Sequence, residues 1–215
     1  MKKYKRYFAE TLGSFALVFC GTGAVTIDEI TNGAVSHAGV AITFGLIVMS
    51  MIYAFGEQSG AHLNPAVTIA FAFNKNFPVS EIIPYVTSQC CGAFAASLAL
   101  KLLFPTSRFI GTTLPSGSAI QSFFLEIILT FFLMMVILRV ATGSKEQGLF
   151  AGIAIGSVVL LEAMFAGPIS GASMNPARSL APAIVSGHTQ NLWIYLSAPF
   201  IGSITSVVVH KLIKS

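Results

Sequence analysis

Charged residues are scarce in this sequence of 215 residues. Asp, Glu, Lys and Arg make up 9% of it and hydrophobic residues 54%, whereas a soluble domain usually carries about 25% charged residues. A soluble protein of this size needs a polar surface, and too few polar side chains are present to form one. The composition therefore excludes a soluble enzyme, a nucleic-acid-binding protein and a disordered chain, and it predicts an integral membrane protein.

Cysteine is also rare, and no grouping of residues indicates bound metal or catalysis. Cys20, Cys90 and Cys91 lie within apolar runs, which argues against a disulfide framework and favours a packing role. The sequence shows no nucleophile with a base and an orienting partner, and no ligand cluster at metal-site spacing. We therefore expect no enzyme activity, no metal and no cofactor.

Long apolar runs dominate what is present. A helix needs about 20 residues to cross the hydrocarbon core of a bilayer. The runs are continuously apolar rather than alternating, which favours helices over a barrel. The sequence predicts an all-α membrane protein with six transmembrane helices, at Tyr7–Ile27, Val35–Phe55, Ile82–Phe104, Ile120–Val140, Leu149–Phe165 and Leu192–Ile213.

The Lys and Arg residues predict the orientation of these spans. They flank the apolar runs rather than forming a patch, although the net charge is +4. With the N-terminus inside, three of the twelve lie outside: Lys101, Arg108 and Arg178. The other nine lie inside, which predicts cytoplasmic termini: Lys2, Lys3, Lys5, Arg6, Lys75, Arg139, Lys145, Lys211 and Lys214.

The two halves of the sequence repeat four landmarks in the same order. Each half holds three spans, so the second half must enter the membrane from the opposite side, as an inverted repeat. We expect a first repeat at 1–104, a linker at 105–119 and a second repeat at 120–215. The matching segments are Glu10–Phe15 with Glu126–Phe131, Ala41–Gly45 with Gly152–Gly156, Ser59–Ala66 with Ser170–Ala177, and Gln89–Gly92 with Pro199–Gly202.

Two short apolar stretches, each after an Asn-Pro-Ala triplet, are too short to cross. Asn is a favoured helix N-cap and Pro a favoured first residue, so we expect re-entrant half-helices at 65–73 and 176–185. Inverted symmetry makes their N-termini meet near the midplane, where irregular backbone is tolerated only beside protein or a water-filled cavity. Two positive helix ends repel cations, and Asn64 and Asn175 can donate hydrogen bonds to a neutral molecule.

The two triplets lie in segments that resemble the signature loops of the aquaporin, or major intrinsic protein, family. These segments are SGAHLNPAVT (59–68) and SGASMNPARS (170–179), and the resemblance covers nearly the whole chain. The run 165–180 is especially similar to the plant nodulin-type intrinsic proteins and their bacterial relatives. The resemblance implies pore motifs at Asn64, Pro65, Ala66, Asn175, Pro176 and Ala177, and the proton exclusion known for aquaporin pores.

The family resemblance also implies a selectivity filter of Phe44, Ala163, Ala172 and Arg178. Water-selective members usually have His where this chain has Ala163, so the filter is expected to be wider and to have one apolar wall. We expect water, glycerol and uncharged hydroxides such as arsenite or boric acid to pass, while protons and ions do not. Dedicated glycerol facilitators usually have Asp at the position of Ser179, which argues against a pure glycerol channel.

Several polar residues in or near the predicted spans need an interpretation of their own. Glu10 and Glu126 could form a proton-coupling pair, but the family favours structural support of the two loops. His62 is expected to brace its loop rather than to bind a metal. Glu162 precedes a filter position, and three roles stay open for it: shaping the outer vestibule, pairing with a neighbouring subunit, or packing as a neutral acid. His37 and His188 are expected to be ordinary surface histidines near the outer face.

Partners and location follow from the same resemblance. The implied partners are water, small neutral solutes and membrane lipid, with no nucleic acid. The family implies a homotetramer with one pore per subunit in the plasma (cell or inner) membrane. A secondary active transporter is the alternative, because inverted repeats and broken helices occur there too.

Overall fold

The fold is built from α-helices, and eight of them lie within the described residues. The computed structural model describes residues 3–144 and 148–214, and within those residues there is no β-strand. Six helices are long and apolar enough to cross a membrane, and two are half that length. The helices are α1 (Lys3–Thr31), α2 (Ser36–Ser59), α3 (Pro65–Phe73), α4 (Ile82–Leu103), α5 (Ala119–Ala141), α6 (Ala151–Ser170), α7 (Pro176–Ser186) and α8 (Leu192–Lys214).

All six long helices and both half-helices lie where the sequence predicts them, although several are longer than predicted. The predicted ends of α2 and α6, Phe55 and Phe165, are too early by four and five residues. Apolar composition marks the part of a helix that lies in lipid, but the helix continues until the backbone can turn. Both helices end at a glycine in the left-handed region, Gly60 (φ 87°) and Gly171 (φ 85°).

The long helices pack in three close pairs, α1 with α4, α2 with α6 and α5 with α8. Both half-helices lie between α4 and α8 and point to opposite ends of the bundle. Lys211 Nζ, near the end of α8, lies 3.4 Å from the Phe73 carbonyl at the end of α3. Ser186, at the end of α7, bonds instead to Thr112 in the linker, at 2.9 Å.

The bundle has a terminus end and a linker end. The terminus end carries the start of α1 and the end of α8. An ion pair joins Lys3 Nζ and Glu81 Oε1 there, at 2.6 Å. The linker end carries residues 104–118. Lys2 and Lys145, two of the cations counted in predicting the orientation, lie outside the described residues. The terminus end holds Lys3, Lys5, Arg6, Lys75, Arg139, Lys211 and Lys214, and the linker end holds Lys101, Arg108 and Arg178.

Candidate functional site

The two asparagines meet at the centre of the fold. The Asn64 amide nitrogen donates to the Met174 carbonyl, and the Asn175 amide nitrogen donates to the Leu63 carbonyl, both at 2.8 Å. Each side-chain oxygen caps its own half-helix by accepting from the backbone N–H of Ala66 or Ala177. One amide hydrogen of each Asn is used across the contact, and the second makes no protein hydrogen bond in the described structure. The N-termini of α3 and α7 therefore face each other.

Glu10 holds the loop before α3. Its Oε1 accepts hydrogen bonds from the hydroxyl of Ser59 (2.6 Å) and the backbone N–H of His62 (2.9 Å). Its Oε2 accepts from the backbone N–H of Leu63 and from the amide of Gln89, both at 2.8 Å. Each oxygen of this fully buried carboxyl group therefore accepts two hydrogen bonds.

Glu126 holds the loop before α7 in the same way. Its Oε1 accepts from the Ser170 hydroxyl (2.8 Å) and the Ser173 backbone N–H (2.9 Å), and its Oε2 from the Met174 N–H (2.8 Å). Both loops need this support, because non-glycine residues adopt left-handed backbone in each of them. These residues are Ala61 (φ 46°), Leu63 (φ 51°), Ala172 (φ 40°) and Met174 (φ 53°).

A cavity of about 460 Å³ runs along both loops. At the terminus end it is lined by Tyr53, Glu57 and Gly148, and it passes Asn64 and Asn175 before it reaches the four residues predicted for the filter. Apolar side chains of α2, α5 and α6 form most of its wall. An apolar passage with a few fixed polar groups is the usual form of a small-molecule site.

The structure brings together the four residues predicted for the filter. Phe44, Ala163, Ala172 and Arg178 all line the cavity at its end nearest the linker. The Arg178 guanidinium carbon lies 5.0 Å from the centre of the Phe44 ring. Arg178 donates from Nη1 to the Gly111 carbonyl at 2.7 Å, and its buried Nε has no hydrogen-bond partner in the described structure. This end of the cavity thus combines a fixed cation with three apolar side chains.

Linker residues are the part of the site that sequence reasoning missed. Gly111 accepts the Arg178 hydrogen bond, and Thr113 donates to the buried Ser179 hydroxyl at 2.7 Å. Ser179 is also 2.5 Å from the Ser173 hydroxyl, so it joins the linker to the loop before α7 and does not line the cavity. The polar, small-residue composition of 105–118 was the only available signal, and it carries no periodicity.

His62 sits in an aromatic pocket beside the first loop. Its Nδ1 lies 3.1 Å from the Thr68 hydroxyl, and its ring stacks on Phe71 and packs against Phe77 and Tyr85. Among the described residues there is no group of three or more His, Cys, Asp or Glu side chains that could hold a metal ion. The contacts of His62 are those of a residue that braces its loop.

Glu162 is buried in α6, one residue before Ala163. It is 5% exposed, and its Oε2 has no hydrogen-bond partner in the described structure. It does not line the cavity. Among the described residues, Glu162 differs from Glu10 and Glu126 in holding no loop.

The two histidines predicted at the surface have different surroundings. His188 lies beside Phe109, with ring centroids 4.8 Å apart, and its Nδ1 is 3.2 Å from the Ser186 hydroxyl. His37 is exposed, but its Nε2 lies 2.5 Å from the backbone carbonyl of Met164 in α6. The interpretation of His37 as an ordinary surface histidine is therefore incomplete.

Comparisons with known proteins identify relatives along the whole chain. A family model described as major intrinsic protein matches residues 1–210. The chain is 48% identical to aquaporin NIP1-1 of Zea mays over 98% of its own length and 75% of the relative's. It is 44% identical to nodulin-26 of Glycine max over 98% and 78%. An X-ray structure of the aquaglyceroporin from Plasmodium falciparum matches 99% of this chain and 97% of that chain, with a TM-score of 0.88 at 26% identity.

Proposed function

Since the chain belongs to the major intrinsic protein family and is a membrane channel for water and small solutes, we propose a solute range for it. Beside water, it conducts glycerol and uncharged hydroxides such as arsenite and boric acid. It excludes protons and ions. It is not an enzyme.

The composition of the filter is the observation that carries this proposal. Phe44, Ala163 and Ala172 give the cavity an apolar side opposite the Arg178 cation. Glycerol has a carbon face and a hydroxyl face, so it can contact the apolar side while it accepts hydrogen bonds from the guanidinium group. The methyl group of Ala163 leaves room that a larger side chain at this position would fill.

Proton exclusion is supported by three sources of positive potential along one path. The N-termini of α3 and α7 face each other, and each carries about half a positive charge. Arg178 adds a full charge at the filter. The free amide hydrogens of Asn64 and Asn175 orient a bound water so that its own hydrogens point away from both, which makes it a poor link in a proton chain.

The carboxyl groups give no support to the alternative, an ion-coupled transporter. Coupling needs a group that gains and loses a proton or ion during the cycle. The oxygens of Glu10 and Glu126 are occupied by hydrogen bonds from the two loops. Removing either carboxylate would release a loop rather than empty a binding site.

We also propose a homotetramer in the plasma membrane with both termini in the cytoplasm. The orientation is supported by the excess of Lys and Arg at the terminus end, since cytoplasmic loops carry more of these residues than loops on the other side. The tetramer, with one pore in each subunit, rests on membership of the family.

Arg178→Ala tests the proposal. In proteoliposomes, we expect this variant to keep glycerol permeability and to raise proton conductance by about tenfold or more, since it removes the fixed charge of the proposed filter. The measurement pairs light scattering after an osmotic step with an internal pH dye. Arg108→Ala is the matched control, because it removes an exposed cation of the linker end that does not line the cavity.

Two results would contradict the proposal. The first is a wild-type protein whose proteoliposomes take up glycerol no faster than protein-free liposomes. The second is an Arg178→Ala variant that is as tight to protons as Arg108→Ala.

A further inference from the structure

The filter lies between two contacts that join α2 to α6. At the first contact, Gly45 packs directly on α6, where a methyl group at Gly45 would overlap the Gly156 carbonyl and the Leu160 side chain. At the second, the His37 ring reaches the Met164 carbonyl. Phe44 lies beside the first contact on α2, and Ala163 lies directly before Met164 on α6.

The second contact satisfies a carbonyl that the helix itself cannot satisfy. Pro168 lies inside α6 and has no backbone N–H, so it cannot bond to the carbonyl four residues earlier, which is that of Met164. His37 Nε2 lies 2.5 Å from this oxygen. A carbonyl only accepts, so the ring must carry its proton on Nε2 and donate it.

The position of the His37 ring is further fixed by Gly167. A methyl group at Gly167 would overlap the ring carbon between the two nitrogens, so the imidazole would have to leave its present position beside a larger residue. His37 is also seven residues before Phe44, two helical turns along the same face of α2. His37 and Phe44 therefore lie on the same face of α2, two turns apart.

In the part of the chain that the structure describes, the link has no symmetry-related counterpart at the terminus end of the α2–α6 pair. The residue that corresponds to Pro168 is Glu57, which can donate its backbone N–H, and the residue that corresponds to His37 is Gly148. Within the described residues, the histidine on α2 and the proline inside α6 therefore meet only at the linker end of this helix pair, which is also the end where Phe44 and Ala163 line the cavity.

We propose that His37 is a positioning residue of the filter: its Nε2–H replaces the backbone donor missing at Pro168 and so fixes the distance between Phe44 and Ala163. The inference rests on the proposed function, since it concerns which solutes the filter admits. Without this bond the last turns of α6 lose a fixed contact with α2 on the linker side of the filter, and the filter widens.

The test compares five variants in proteoliposomes by osmotic light scattering: three at His37, one at Pro168 and one double variant. In His37→Ala, we expect the permeability ratio of ribitol, a five-carbon polyol, to glycerol to rise about fivefold, with water permeability within about twofold of wild type. His37→Gln should keep the wild-type ratio, because its amide nitrogen reaches the place of Nε2. His37→Asn should behave like His37→Ala, because its amide reaches only the place of Nδ1.

Pro168→Ala tests whether His37 acts through the Met164 carbonyl. This change returns a backbone N–H to α6, so the Met164 carbonyl can bond within its own helix. Adding His37→Ala to Pro168→Ala should then leave the ribitol-to-glycerol ratio unchanged. A residue that merely supports folding would lower the yield or stability of the variants without changing this ratio.

The inference is overturned if His37→Ala leaves the ratio unchanged, or if the change is equally large with Pro168→Ala present. If His37→Ala does not fold, the difference between His37→Gln and His37→Asn decides. A wild type that conducts water but not glycerol would refute the proposed solute range and leave this test intact, with the entry of glycerol into His37→Ala as its readout.

Discussion

Ala163→His is expected to keep water permeability within about threefold of wild type and to lower glycerol permeability by at least tenfold. An imidazole in place of a methyl group fills the space between the apolar side of the filter and Arg178, whose guanidinium carbon is 5.0 Å from the Phe44 ring centre. Water still passes in single file, but a three-carbon polyol does not fit. Osmotic light scattering with water and glycerol gradients measures both rates on the same sample.

Ala151→His is the matched control for this substitution. It makes the same chemical change in the same helix and the same cavity, twelve residues away and therefore about 18 Å from the filter. We expect it to leave the glycerol-to-water ratio unchanged. Equal losses of water and glycerol in Ala163→His, or equal losses of glycerol in both variants, would contradict the assignment of the filter.

Glu126→Gln is expected to abolish both water and glycerol permeability. Three donors converge on this carboxylate, from Ser170, Ser173 and Met174. The amide offers one oxygen and places an NH₂ group against at least one of these donors. A buried donor without a partner costs about 1–3 kcal/mol, and more beside a lost charge, so we expect the free energy of unfolding to fall by about 3 kcal/mol.

Glu162→Gln separates loss of loop support from the general effect of changing a buried carboxyl group. Glu162 is 5% exposed, and no hydrogen bond to it is found among the described residues. We expect this variant to keep its permeability and to change stability by less than about 1 kcal/mol. Thermal unfolding in detergent gives the stabilities. Equal destabilisation by Glu126→Gln and Glu162→Gln would refute the supporting role of Glu126.

The long helices and the half-helices were predictable from the sequence because their signals are local. Apolar runs of sufficient length mark the six spans, and an Asn-Pro start marks α3 and α7, both of which begin at the predicted residue. The reciprocal hydrogen bonds of Asn64 and Asn175 to the opposite loops follow from symmetry, since the two inverted halves bring these equivalent loops together at the centre. The hydrogen bonds of Glu10 and Glu126 repeat for the same reason.

The surroundings of the filter could not be predicted, because they depend on contacts between distant segments. Nothing local to Gly111 indicates that its carbonyl accepts a hydrogen bond from Arg178, 67 positions away. His37 and Met164 are 127 positions apart. Proline usually ends or interrupts a helix, yet α6 continues past Pro168 to Ser170. A bond from another helix satisfies the carbonyl that Pro168 leaves free, and no pattern in the sequence contains that bond.

The most direct test of the channel is the concentration dependence of glycerol flux in wild-type proteoliposomes, with internal pH recorded at the same time. We predict a flux that rises linearly with the glycerol gradient, does not depend on Na⁺ or on a proton gradient, and carries no proton current. A flux that saturates and follows an ion gradient, or one accompanied by proton entry, would contradict a passive pore for uncharged molecules.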